Sequence, residues 1–161
     1  MTIRPLEEKD WPAVRKIYKD GMDTGLATFE TEVPDWKSWD AKFLQECRFV
    51  AEDDNAVVGW AVLSPTSKRY VYRGVAEVSI YVDLDHSGKG IGSALMEALI
   101  KSSEQEKFWT LQAIIFSNNQ VSIRLHEKHG FRRIGIREKI AQRDGVWTDT
   151  VLLERRSQVV F

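Results

Sequence analysis

Ser79-Ile80-Tyr81-Val82-Asp83-Leu84-Asp85-His86-Ser87-Gly88-Lys89-Gly90-Ile91-Gly92-Ser93-Ala94-Leu95 joins an apolar strand to an amphipathic helix through a loop with glycines at alternate positions. Glycines so placed let successive backbone N–H groups turn toward one point, and the helix that starts inside the loop adds the positive end of its dipole. The pattern describes a cradle for phosphate. Downstream, Ile91, Ala94, Leu95, Ala98 and Leu99 keep the spacing of a buried stripe and predict a helix from about 90 to 103. Upstream, 75–83 reads as a strand.

The remaining elements follow from the same signals. Residues 2–6 read as a short strand, followed by a helix capped by Asp10 with Val14, Ile17 and Tyr18 on one face. Asp35 is placed to cap a second helix carrying Trp36, Trp39, Phe43 and Leu44. The runs 49–52 and 57–63 form a hairpin turned through Asp53-Asp54-Asn55. A strand at 110–116 precedes a helix that starts near Asn119 and stops at Gly130. Strands at 131–141 and 146–155 meet at Arg143-Asp144-Gly145, where Asp-Gly is a hairpin signal. The order β-α-α-β-β-β-α-β-α-β-β joins antiparallel hairpins to one β-α-β crossover, which implies a mixed α/β sheet.

Composition narrows the function classes. The 161 residues fit one domain over 1–161, and 43% hydrophobic with 29% charged residues is ordinary for a globular protein. A formal net charge of −1 gives no basic field for nucleic acid or an anionic membrane surface. The single cysteine, Cys47, forms no internal disulfide and suits a reducing compartment. Acidic residues near the start, where a secretory signal needs an apolar run, point to a cytoplasmic protein.

Nucleotide-binding motifs fit the glycine loop poorly. The dinucleotide pattern Gly-x-Gly-x-x-Gly requires a last glycine where Ser93 or Leu95 stands. The P-loop pattern requires Ser or Thr after Lys89, which is followed by Gly90. The segment instead resembles the acetyl-coenzyme A loop of the GNAT acetyltransferases, Arg/Gln-x-x-Gly-x-Gly/Ala, through Gly90 and Gly92. Asn119-x-x-Ser122-x-x-Leu125-His126-Glu127-Lys128-x-Gly130-Phe131 resembles the second signature of that family. The segments 28–32, 76–82, 122–127 and 145–149 are similar to the phosphinothricin and methionine sulfoximine N-acetyltransferases within it. The resemblance implies the GNAT fold, a central and mostly antiparallel sheet of six to seven strands with about four flanking helices. It departs from the family at Ser87, where Arg or Gln is usual.

The resemblance also implies roles. Acetyl-CoA would be the co-substrate. Its phosphates would be held by Ser87, Gly88, Lys89, Gly90, Ile91, Gly92 and Ser93, and its pantetheine arm by the backbone of Ile80, Tyr81 and Val82 and by Asn119. Glu77, on the strand that runs into the loop, matches the family's general base; as a residue it could equally be an ion-pair partner of Arg73. His126 stands where many relatives carry Tyr, and an imidazole can donate to a thiolate or accept from an amine. Lys68, Arg69 and Arg73 form a basic segment suited to an acceptor carrying a carboxylate, phosphinate or sulfoximine, with Arg73 as the anion contact and Phe29 and Thr31 contributing from the N-terminal loop. The expected reaction is acetylation of the amine of a small amino-acid-like acceptor, a detoxification. A protein N-terminus or polyamine as acceptor, and a coenzyme-binding module without catalysis, are the alternatives. A homodimer is expected, and no metal: His126 and His129 find no further ligands at suitable spacing.

Overall fold

Turn chemistry and alternation account for most of the strands in the computed structural model, which describes residues 1–161. β1 (Thr2–Pro5) lies antiparallel to β2 (Phe49–Asp53). β2 turns into β3 (Ala56–Pro65) through Asp54 and Asn55, whose φ values of 47° and 62° are those of a tight hairpin turn. β3 pairs antiparallel with β4 (Val75–Val82) from Pro65↔Ala76 to Gly59↔Val82. β5 (Thr110–Phe116) pairs with β7 (Val146–Arg156), which turns back through Asp144 and Gly145 to β6 (Arg132–Arg143). The spatial order is β1-β2-β3-β4-β5-β7-β6, a seven-stranded open sheet in which only β4 and β5 run parallel. The mixed α/β architecture and the element order expected from the sequence are both found.

Alternation along the strands divides the core in two. Leu95, Met96 and Leu99 of α3 (Ile91–Gln105) and Ile123 of α4 (Gln120–Lys128) pack with Ala61, Leu63, Ala76, Val78, Ala113 and Val151. Val14, Ile17, Tyr18 and Met22 of α1 (Trp11–Asp23) and Trp39 of α2 (Trp36–Lys42) pack with Val50, Trp60 and Val62 on the other side, with Tyr81 against them. On β4, Ala76 and Val78 therefore belong to the first core and Tyr81 to the second. Glu77 and Ser79 share the face of Tyr81. No helix is long and apolar enough to cross a membrane.

Two local expectations are corrected. The Asp10 carboxylate does not cap α1. It accepts from the Glu7 N–H at 2.8 Å and takes both guanidinium nitrogens of Arg4, at 2.8 and 2.9 Å, because a buried carboxylate gains more from a paired cation than from an exposed helix end. Phe43 and Leu44 lie beyond α2, which ends at Lys42. The Arg48 guanidinium, itself buried, donates to the carbonyls of Asp40, Phe43 and Leu44 and stops the helix there.

β6 is also less regular than its sequence suggests. Its register against β7 shifts between Arg137 and Ala141. Within that gap Lys139 takes a φ of 44°, and its N–H donates to Asp149 Oδ1 at 2.7 Å. The carboxylate supplies the partner that the ladder withholds.

Candidate active site

The site begins where β4 and β5 part. Their parallel pairing covers Val75↔Thr110, Ala76↔Leu111 and Glu77↔Gln112, and there it stops. β4 stays paired to β3 as far as Val82, and β5 stays paired to β7 as far as Phe116, so each strand follows its own half of the sheet. The result is a wedge with Glu77 at its apex. One edge of β4 from Val78 to Val82 faces it without a strand partner. A cavity of about 510 Å³ fills the wedge, lined by Glu77–Val82 on one side and Ala113–Phe116 on the other. Such an edge accepts an extended ligand that offers amides and carbonyls in strand-like spacing.

At the wide end of the wedge the glycine loop leads into α3. Gly88 and Gly90 adopt φ values of 75° and 80°, the left-handed region for which glycine carries no steric penalty. A 3-10 turn at Leu84–His86 precedes them, and His86 Nδ1 lies 2.8 Å from Asp83 Oδ2. Ser87 N–H donates back to Leu84, and the next amide with an acceptor in the chain is that of Ala94, to Gly90 O at 3.1 Å. The amides of Gly88, Lys89, Gly90, Ile91, Gly92 and Ser93 between them have no acceptor within the chain. Ile91 is 3% exposed, so its side chain belongs to the core and only its N–H is offered. Ser93 Oγ is met by Lys128 Nζ at 3.3 Å and by His129 Nε2 at 3.2 Å. This brings the Lys128 ammonium and the His129 ring to the first turn of α3, a contact invisible in the sequence because the residues lie 35 and 36 positions apart.

The acid–base groups sit deeper. Burial pushes the Glu77 carboxyl above its ordinary 4.5, opposed by the charges of Lys42 and Arg137. His126 is 2% exposed, lines the cavity and meets Phe131 edge-to-face at 5.0 Å. Its Nδ1 is 2.7 Å from Ser122 O. A carbonyl only accepts, so Nδ1 carries the proton and Nε2 keeps its lone pair. Burial also lowers the His126 pKa, which keeps the ring neutral. Tyr18 lines the same cavity, and burial raises its phenol to about 12.

Several expected site residues come together here and others do not. Glu77, Ile80, Tyr81, Val82, Asn119, His126 and Phe29 all line the cavity. Phe29 packs on Phe116 at 4.6 Å, and Asn119 caps α4 through Ser122 N–H while its Nδ2 donates to Leu26 O at 3.2 Å. Thr31 is exposed and outside the lining. Arg73 is outside it too: its guanidinium lies over the rings of Tyr70 and Trp109 at 4.2 and 5.3 Å and donates to Tyr70 O. It precedes Glu77 along an extended chain, about 3.3 Å per residue, toward the end of β4 that is closed by β5. The lysine that does line the cavity is Lys42, at the end of α2, with Glu30 close by in the lining. Thr150, fully buried in β7, lines it as well, and its Oγ1 has no hydrogen-bond partner. No local sequence signal marks Lys42 or Thr150, which reach the cavity only through the packing of α2 and the β5–β7 register.

Residues 11–131 match the Acetyltransferase (GNAT) family. The chain belongs to this family. Phosphinothricin N-acetyltransferase of Alcaligenes faecalis is 32% identical over 164 residues, covering 96% of this chain and 81% of its own. L-methionine sulfoximine/L-methionine sulfone acetyltransferases of Pseudomonas and Salmonella are 28–30% identical over 95–96% of the chain and 92–93% of theirs. Among solved structures, a GNAT phosphinothricin acetyltransferase of Sinorhizobium meliloti in complex with AcCoA superposes with a TM-score of 0.88 at 28% identity, covering 99% of this chain and 95% of that one. A ribosomal-protein-alanine N-acetyltransferase of Brucella melitensis gives 0.89 at 30%, covering 98% and 100%. The protein is thus an acetyltransferase, and acetyl-CoA is the co-substrate of its family. The residues present fit that molecule: a run of free amides for its phosphates and a free strand edge for its amide-bearing arm.

Gly90→Val forces a branched side chain into the left-handed region at a cost of roughly 1–2 kcal/mol, and is expected to raise the acetyl-CoA Kd about 5- to 30-fold by calorimetry. Ser87→Arg, which adds a charged donor to the loop, is expected to lower it. An unchanged Kd in Gly90→Val would remove the loop from coenzyme binding.

Proposed function

We propose that the protein transfers the acetyl group of acetyl-CoA to the amine of a small amino-acid-like acceptor, with Glu77 as general base. The observation that carries this reading is the position of Glu77: it is the last β4 residue paired with β5, and so stands where the wedge closes. Acetyl-CoA supplies an acetyl thioester already activated for attack by an amine. The glycine-loop amides of 88–93, Ser87 and Lys89 would hold its phosphates, and the β4 edge at Ile80, Tyr81 and Val82 its arm, with Asn119 beside it.

What remains for the chain is to free the amine and place it. An alkyl ammonium with a pKa near ~10 is protonated at neutral pH, so a base must accept a proton. Glu77, its pKa raised by burial, is a stronger base than an exposed carboxylate. It accepts the ammonium proton directly or through a water. His126 presents an Nε2 lone pair in the same cavity, so in this state it accepts a proton rather than donating one. Lys42, the cation in the lining, takes the role of anion contact first assigned to Arg73, while Phe29 and Phe116 cover the acceptor's apolar part. The similarity to phosphinothricin and methionine sulfoximine acetyltransferases supports an acceptor with a carboxylate and a tetrahedral phosphorus or sulfur.

A second reading keeps the chemistry and changes the acceptor to a protein N-terminus. It is favoured by a neighbouring cavity of about 430 Å³ that shares Tyr18, Glu30, Lys42 and Phe43 with the first and leaves room for a longer acceptor. Thiol release with phosphinothricin, methionine sulfoximine and an alanine-initiated peptide separates the two. Turnover of the peptide alone would reject the amino-acid reading.

The protein is also proposed to pair with a second copy through β6, an edge strand with Ile134, Ile136 and Ile140 exposed beside Val146 and Trp147 of β7. Sedimentation is expected to give twice the 18.5 kDa chain mass, and Ile136→Lys to shift it to the monomer. A wild-type monomer at micromolar concentration would reject the pairing.

The base assignment has a pH signature. Glu77 must be ionised to act, so kcat/KM for the acceptor is expected to rise with pH through a limb lying above 4.5. Glu77→Gln should lower kcat roughly 10²–10⁴-fold and abolish that limb while leaving acetyl-CoA binding nearly intact. Retention of the limb in Glu77→Gln would assign it to another group.

A further inference from the structure

The segment between Asp23 and Trp36 has no helix or strand, yet it supplies Thr24, Leu26, Ala27, Thr28, Phe29 and Glu30 to the cavity. An irregular wall must be held by something other than its own hydrogen bonds. Most of the hold comes from one side chain at the far end of the sequence. Arg143, the last residue of β6 before the hairpin turn, donates Nη1 to Thr28 O at 2.6 Å and to Glu30 O at 3.1 Å, and Nη2 to Met22 O at 2.7 Å. Its side chain is 13% exposed, and the carboxylate nearest it, Asp144 Oδ2 at 3.4 Å, is mostly in solvent. The guanidinium is therefore satisfied chiefly by two carbonyls of the segment and one of α1.

Those carbonyls are not equivalent in effect. Met22 O belongs to the last turn of α1, so Nη2 ties the hairpin to the helix end from which the segment leaves. Thr28 O and Glu30 O, two residues apart, both turn toward Arg143, which fixes the backbone on either side of Phe29. The Phe29 ring is thereby held against Phe116, and the Thr28 hydroxyl lies by the Tyr81 phenol. A planar fork with separate N–H groups can reach several acceptors at once, which a lysine ammonium in the same place does less completely.

From this geometry we infer that Arg143 is the positioning residue for acceptor selection: it holds the Phe29 wall of the cavity without touching the acceptor. The inference rests on the proposed role of this cavity as the acceptor site. It assigns part of the specificity to the tip of the β6–β7 hairpin, far in sequence from Glu77 and from the glycine loop. Without the guanidinium, the carbonyls of Met22, Thr28 and Glu30 turn to water, and Phe29 loses its fixed place.

The test uses the full chain as wild type, Arg143→Ala and Arg143→Lys. Amide hydrogen exchange over 22–31 is read by mass spectrometry, acetyl-CoA Kd by calorimetry, and kinetics with two acceptors of different side-chain size. In Arg143→Ala, exchange over 22–31 is expected to quicken and acetyl-CoA Kd to stay within about twofold. Acceptor kcat/KM should fall roughly 10- to 100-fold, chiefly through KM, because a small misplacement of a positioning wall has that effect. The preference between the two acceptors should narrow, and Arg143→Lys should recover part of both. Unchanged exchange over 22–31 would overturn the clamp, and faster exchange with unchanged KM and preference would leave Arg143 a structural residue only. Should the wild type acetylate no amino-acid acceptor, the amino-acid reading fails by itself. Arg143 is then judged by the exchange measurement, which needs no acceptor, and by the kinetics of whichever panel amine is turned over.

Discussion

Everything at the candidate site depends on the early end of one parallel strand pairing. β4 and β5 share three residue pairs and then separate, each held by its antiparallel neighbour on the outer side. Antiparallel ladders are slightly the more stable per residue, and twist accumulates across a sheet of this width. The short parallel contact between two longer ladders is therefore where the sheet opens. The opening leaves peptide groups of β4 without strand partners inside a cavity, and a buried unpaired peptide group costs about 1–3 kcal/mol. Water or a ligand with its own amides relieves that cost. The wedge is thus a binding site for chemical reasons before any particular molecule is named.

The same burial sets the chemistry of the groups lining it. Taking a carboxyl out of water raises its pKa, and taking an imidazole out of water lowers its own. Glu77 and His126 shift in these opposite directions for one cause. The charges of Lys42 and Arg137 oppose the rise at Glu77 and favour its ionised form. The hydrogen bond from His126 Nδ1 to Ser122 O fixes the tautomer independently of either shift.

How far this was legible in the sequence varies with the range of the interaction. The glycine loop, its helix and the hairpin turns at Asn55 and Gly145 are local, and their residue types alone indicate them. The cap expected of the Asp10 side chain does not form because Arg4, from β1, claims the carboxylate. α2 stops at Lys42, short of Phe43 and Leu44, because Arg48 caps it from beyond Leu44. Arg73 looked like an acceptor contact from its closeness to Glu77 in sequence, whereas Lys42, a whole hairpin earlier, is the cation that packing delivers to the cavity. The wedge itself has no sequence signal, since Val78–Val82 keeps the composition of a strand whether or not both its edges are paired.

The two anchors of the irregular wall differ in kind, and the difference links the two ends of the site. Arg143 holds the carbonyls of Met22, Thr28 and Glu30 and hydrogen-bonds to no other residue of the cavity wall. Asn119 holds Leu26 O with Nδ2 and caps α4 with Oδ1, so both ends of its amide are already fixed. One N–H and one lone pair of Oδ1 remain for a ligand. A coenzyme contact at Asn119, as proposed, would therefore use an amide whose orientation is set by the cap and the wall together. Preorganisation of this kind spares the ordering cost of a free side chain.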